Sequence, residues 1–268
     1  MASGNKAVTS GEWGGERVML RTPNSAVKGV IALSALLSFL GSASAGGLGD
    51  DFDIAFGAAV TSDYIYAGIS QSDGKPALQG YVEANYGVFY AGVWGSNVDF
   101  DESDVEINVY GGIRPETDSA AFDLGYVHYF YAEGSAPDYG AIVASAEYYA
   151  TEALTVGANV NFSPDYSQMD GYALWVEGTA DYALPADFGV SAGLGYQYFE
   201  DSLALPDYWT WNAGVYWTWR EALKIDLRYV GSGLSRGECA ALMSRSACGH
   251  RLLATLSVDT ALSSLISR

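Results

Sequence analysis

From Phe52 onward, apolar and polar residues alternate with a period of two, the pattern of strands whose two faces meet different surroundings. Twelve such segments can be drawn, at roughly 52–62, 77–86, 88–98, 104–114, 120–131, 141–150, 153–163, 171–183, 187–200, 207–220, 222–232 and 249–260. In the fourth, Val105, Ile107, Val109 and Ile113 share one face, while Glu106, Asn108, Tyr110 and Arg114 share the other. In the seventh, Leu154, Val156, Ala158, Val160 and Phe162 oppose Thr155, Gly157, Asn159 and Asn161. In the eleventh, Leu223, Ile225, Leu227 and Tyr229 oppose Lys224, Asp226 and Arg228. Each segment has one greasy side and one polar side, often charged.

A one-sided antiparallel sheet in water alternates in the same way. Connection lengths separate the two cases. The links after even-numbered segments are short: Gly87, Pro115–Ser119, Thr151–Glu152, Leu184–Ala186 and the Arg220–Glu221 corner. Those after odd-numbered segments read as longer and polar, the last running through both cysteines. Short turns at one end, long loops at the other and an even strand number are the pattern of outer-membrane barrels. Closure also removes the sheet edges that lipid would leave unpaired. The pattern predicts an all-β chain, a twelve-stranded antiparallel up-and-down transmembrane β-barrel.

The stretch YWTWNAGVYWTW, Tyr208 to Trp219, supports the membrane setting. Extended, it puts Trp209, Trp211, Ala213, Val215, Trp217 and Trp219 on one face, with the bulk at both ends and small apolar residues between. From Trp209 to Trp219 such a strand runs about 33 Å. Tilted by about 40°, it covers roughly 25 Å, the height of a barrel's lipid band between two aromatic girdles. The four tryptophans are read as that girdle.

Composition fits this reading. Aromatics make up 14% of the 268 residues, whereas Lys and Arg together number only 13. The net charge of −19 excludes a general nucleic-acid binder, because nothing would neutralise a row of phosphates. Residues 19–45 read as a secretory signal: Arg21 and Lys28, an apolar stretch from Gly29 to Leu40, then Ala43-Ser44-Ala45 before Gly46. Residues 1–18 look like a non-native extension, which leaves 46–268 as the barrel domain. Export makes a disulfide between Cys239 and Cys248 permissible.

The runs TSDYIYAGISQSDGKPALQG, GVFYAGVWGSNVDF and VEINVYGGIRP resemble the TorF family of outer-membrane porins. The resemblance extends from Phe52 to about Thr260 and implies a porin fold without implying a substrate. Family members often carry Arg before the Gly that follows the SDY motif, where this chain has Ala67. The C-terminus, ALSSLISR, departs from the terminal aromatic residue by which the barrel-assembly machinery recognises many clients. Expected partners are outer-membrane lipid, that machinery, and ions or small solutes, with no cofactor and no metal.

With the greasy faces outward, Asp53, Glu83, Glu106, Asp123, Glu147, Glu177, Asp181 and Asp226 point inward together with Arg114, Lys224 and Arg228. An interior so charged holds water or paired charges, since a lone carboxylate in a dry core is too costly. One reading is a cation-favouring aqueous passage lined by these groups; the other is a closed structural or adhesive barrel held by ion pairs. Twelve tilted strands give a radius on the order of 12 Å. Tyr81, Tyr90, Trp94, Tyr110, Tyr129, Tyr149 and Trp175 would fill much of it; Tyr90, Trp94, Tyr110 and Trp175 are the residues expected to narrow the pore.

A third reading, a membrane-embedded lipid enzyme, needs a nucleophile with a base in reach. His128 falls on the lipid face, and two residues on stands Phe130 where that chemistry would want Ser, so no catalytic residue is assigned. His250 has no second His for a metal site. The loop acids Asp63, Asp73, Asp99, Asp101, Glu102 and Asp104 lack EF-hand spacing and read as solvated loops.

Overall fold

The computed structural model describes residues 52–100, 103–132 and 136–266, together with two short strands near the N-terminus. Those strands, Ala7–Thr9 and Met19–Arg21, pair antiparallel with each other. The rest of the segment read as a secretory signal lies outside the described residues.

Twelve strands close into one barrel. They are β1 (Phe52–Thr61), β2 (Ala77–Tyr86), β3 (Phe89–Phe100), β4 (Ser103–Ile113), β5 (Ala120–Ala132) and β6 (Tyr139–Tyr149). The second half comprises β7 (Leu154–Ser163), β8 (Ala173–Ala183), β9 (Phe188–Phe199), β10 (Tyr208–Trp219), β11 (Leu223–Ser232) and β12 (Arg251–Ala261). Each pairs antiparallel with its chain neighbour, and β12 returns to β1 from Thr255↔Thr61 to Ala261↔Ala55. No edge strand remains in the barrel.

The alternation has the opposite sense to that of a water-soluble protein. On β4, Ile107 and Val109 are 40% and 46% exposed, while Glu106 and Asn108 are each 2% exposed. The same inversion runs along β11 and β12, where Leu227, Leu252 and Leu256 lie outside and Asp226, Arg228 and Thr255 lie inside. A continuous apolar exterior of this kind needs a partner phase, and a hydrocarbon band supplies one. Val215, in the middle of β10, faces outward. Val215→Arg is expected to cost about 2–4 kcal/mol of stability in lipid vesicles, the scale for a cation at mid-bilayer. A loss below about 1 kcal/mol in urea titration would place this face outside the hydrocarbon.

Turn chemistry explains the tight end. Gly87 takes φ +58°, closing the β2–β3 hairpin on the pair Tyr86↔Phe89 where a side chain would be strained. At the opposite end one expected loop is missing. β3 and β4 continue to Phe100 and Ser103, so only residues 101 and 102 separate them. The pairing slips between Asn97 and Phe100, and the bulge lets Phe100 meet Ser103 and pack edge-on against Tyr131. Asp99 and Asp104, read as part of a longer polar loop, belong to β3 and β4 instead.

The β11–β12 connection carries α1 (Arg236–Leu242), started by a capping box in which Ser235 and Glu238 each accept the other's backbone N–H. Cys239 and Cys248 form a disulfide. The buried Cys239 packs with Ile69, Phe199, Leu203 and Tyr208, so this connection folds over the mouth of the barrel. At the other rim, Asp53 accepts from the backbone N–H of Ser263 in α2 (Leu262–Ile266). Asp53 therefore belongs to the short-turn rim and not to the middle of the lumen.

Candidate functional site

The lumen has two charged clusters on opposite walls. On the β2–β5 wall, Arg114 donates from Nη1 to Glu83 Oε1 at 3.0 Å and from Nε to Asp123 Oδ2 at 2.9 Å. Its guanidinium lies 4.0 Å from the centre of the Tyr90 ring, and the Tyr90 hydroxyl donates to Asp123 Oδ1 at 2.6 Å. One cation thus clamps two buried carboxylates, with an aromatic face as its floor.

Across the barrel, Arg228 donates to Asp226 Oδ2 at 2.9 Å and to Asn212 Oδ1 at 2.6 Å. Asn212 in turn donates to Glu177 Oε1 at 2.9 Å, and Asn159 donates to its Oε2 at 3.2 Å. Lys224 lies 3.9 Å from Asp226 and 4.8 Å from the Tyr216 ring centre, and the Tyr216 hydroxyl donates to Asp181 at 2.9 Å. Glu147 is buried on the inner face of β6. Of the eleven charged positions read as inward, Glu83, Glu106, Asp123, Glu147, Glu177, Asp226 and Arg228 are buried; they fall into separate groups rather than one continuous ring.

Between the clusters runs a segment that had read as a solvated loop. The β1–β2 connection turns into the lumen as a small hairpin in which Ile65–Tyr66 pairs with Ile69–Ser70. Asp63, only 5% exposed, anchors it: Oδ1 accepts from Ser70 Oγ at 2.6 Å and Ser72 Oγ at 2.9 Å, and Oδ2 lies 3.1 Å from Arg251 Nη1. The solvated-loop reading fails for Asp63 because these partners replace its water. The tip reaches the β10–β11 wall. Gly68 has φ +74°, and a Cβ there would come within 3.1 Å of Gly231 O and 3.2 Å of Thr210 Cγ2. Only Gly combines that conformation with that approach.

The hairpin meets the residues expected to narrow the pore. Tyr64 packs edge-on against Trp94 at 5.5 Å, and Tyr66 lies 6.4 Å from Trp175. Tyr90 and Tyr110 stand together at 6.1 Å. The Tyr64 hydroxyl donates to Glu106 Oε1 at 3.3 Å. Burial pushes that hydroxyl well above its ordinary range, with the Glu106 charge adding to the effect, so it stays a donor. On either side of the hairpin lies a cavity of about 110 Å³. Tyr64, Tyr66, Ala67 and Trp175 line both. Asp123, Glu177 and Arg228 line the first, and Glu106 lines the second, beneath Leu242 and Met243 of the β11–β12 connection.

The family model described as "Bacterial protein of unknown function (Gcw_chp)" matches residues 45–249. The chain belongs to the Gcw_chp family. No curated protein matches it. Among solved structures, this Gcw_chp chain is similar to a KdgM porin, with 12% identity, a TM-score of 0.49, and 77% of this chain and 97% of that one covered. A NanC porin gives 11% identity and a TM-score of 0.49, covering 77% of this chain and 98% of that one. The COG4313 outer membrane channel from Pseudomonas putida F1 gives 7% and 0.48, covering 83% of this chain and all of that one. Likenesses this distant add nothing to the barrel seen directly.

Other positions of the Gcw_chp chain lie where sidedness puts them. Trp209 and Trp219 are exposed on the outer face near the two ends of β10, with Trp211 and Trp217 half-buried beside them. His128 is also outside, its Nδ1 3.1 Å from the Tyr126 hydroxyl and its ring 4.5 Å from Phe130. His250 meets the Tyr229 hydroxyl at 2.6 Å. Among the described residues, no group of three His, Cys, Asp or Glu is placed to hold a metal. Sequence reading overlooked Asp259, which is 7% exposed and inward on β12. Its signal was present, since Thr255, Ser257 and Asp259 oppose Leu252, Leu256 and Val258. The hairpin anchor Asp63 had no such local signal.

Proposed function

We propose that this Gcw_chp protein is a narrow outer-membrane channel for passive diffusion of ions or small solutes, and that its lumen favours cations. The observation that carries the proposal is the inside-out barrel: an apolar outer wall closed around buried carboxylates that outnumber the bases. With Asp259 added and Asp53 left at the rim, eight acids on the inner wall face Arg114, Lys224, Arg228 and Arg251. Glu177 accepts from the side-chain amides of Asn159 and Asn212, Glu106 accepts from Asn108 and Tyr64, and each lines one of the two cavities. Low-dielectric walls focus such a field and raise the local cation concentration. Outer-membrane lipid and the barrel-assembly machinery are the partners this role implies.

The test is conductance of the purified protein in planar bilayers. A KCl gradient is expected to give a cation-favouring reversal potential, reduced by Glu177→Gln. The preference should fade as salt rises from 0.1 M to 1 M and the Debye length falls from about 10 Å to about 3 Å. An anion-favouring current would sink the selectivity. A second reading has its own support: the Arg114 clamp and the inward hairpin both suit a sealed structural barrel. Absence of any conductance, in the native protein and with the hairpin removed, would decide for it.

A further inference from the structure

The cavity on the mouth side of the hairpin differs in chemistry from the one below. Tyr66, Tyr129, Tyr131, Tyr139 and Tyr166 contribute to its wall, and among the described residues Glu106 is the one charged residue that lines it. Tyr129 and Tyr139 stack at 4.8 Å, and Tyr166 meets Tyr139 edge-on at 5.3 Å, so this wall is a packed aromatic surface. Glu106 is 2% exposed. Both of its hydrogen bonds fall on Oε1, from Asn108 Nδ2 at 2.8 Å and the Tyr64 hydroxyl at 3.3 Å, and both donors are neutral. In the other cavity, by contrast, Asp123 and Glu177 share the lining with Arg228.

A buried carboxylate bonded only by neutral donors is short of a counter-charge. Aromatic walls replace the hydration of a weakly hydrated cation better than that of a small, strongly hydrated one, because ring faces attract positive charge without supplying oxygen ligands. The volume, about 110 Å³, is several times the ~15 Å³ that holds one water by the same measure, enough for a compact head group. An anion would face Glu106 with no base in the lining among the described residues, and a neutral solute would leave the charge uncompensated.

We infer that the mouth-side cavity is a binding site for a small organic ammonium ion, with Glu106 as its counter-charge and the tyrosine wall as its water-excluding cage. The inference rests on the cation-favouring lumen proposed above and names the solute class that lumen would select. Tyr64 acts as a positioning residue, tying the carboxylate to the inward hairpin.

The experiment uses the full mature chain in detergent micelles, titrated with choline and separately with 3,3-dimethylbutanol, its uncharged isostere, and followed by calorimetry at constant ionic strength. Choline is expected to bind saturably and at least about tenfold more tightly than the alcohol, a gap of about 1.4 kcal/mol. Glu106→Gln keeps the shape and should weaken choline binding by a similar factor while leaving the alcohol unchanged. Equal affinity for the two probes, no saturable choline binding, or an unaffected Glu106→Gln variant would overturn the inference. So would displacement of choline by sodium at equal concentration, which would mark an inorganic-ion site. Should Glu106→Gln not fold, the comparison of the two probes on the native chain still decides. Because no bilayer is involved, choline binding without conductance would remove the passage and keep the site, and conductance without choline binding would do the reverse.

Discussion

Arg114→Met is expected to destabilise the barrel by about 3–5 kcal/mol, read as the shift in urea unfolding in lipid vesicles. Arg114 is the cation for Glu83 and Asp123, whose side chains are 2% and 9% exposed. Removing it leaves two carboxylates buried without their shared partner, and the cost is that of uncompensated charge rather than of lost hydrogen bonds alone. The Tyr90 ring beneath the guanidinium would lose its cation as well. A triple variant, Arg114→Met with Glu83→Gln and Asp123→Asn, should recover most of the loss, because neutral amides need no counter-charge. A loss below about 1 kcal/mol for Arg114→Met would mean that water already reaches these carboxylates freely. That outcome would itself strengthen the case for a wet lumen.

The second large effect concerns the hairpin. Deleting Tyr64–Ile69 is expected to raise single-channel conductance at least about twofold, since it clears the wall between two cavities in a barrel of ~12 Å radius. Asp63→Ala should move in the same direction by a smaller amount, because it removes the acceptor for Ser70 and Ser72 and the partner of Arg251. The tip would still be held by its packing against Thr210 and Gly231. Unchanged conductance in the deletion variant would show that the barrier lies elsewhere, with the Tyr90–Tyr110 cluster the next place to look.

The alternation of Val105 to Arg114 was enough to assign the faces of β4, and the Trp pattern from Tyr208 to Trp219 was enough to place a lipid-facing band. A period of two is a local property of an extended chain, and a barrel in lipid has only two environments, so each residue's side follows from its neighbours. The same rule would have found Asp259. Closure followed too, because an open edge is excluded in hydrocarbon. Tertiary structure decided what fills the lumen. TSDYIYAGIS has the composition of a loop, yet Tyr64 bonds to Glu106 on β4, Gly68 packs against β10 and β11, and Asp63 pairs with Arg251 at the far end of the chain. Likewise, nothing local tells Arg114 to choose Glu83 and Asp123, or sets the slip in pairing between Asn97 and Phe100 that brings Phe100 opposite Ser103. These choices depend on which strands stand opposite one another once the sheet has closed, and that information is carried by contacts between distant residues rather than by the order of residues within any one strand.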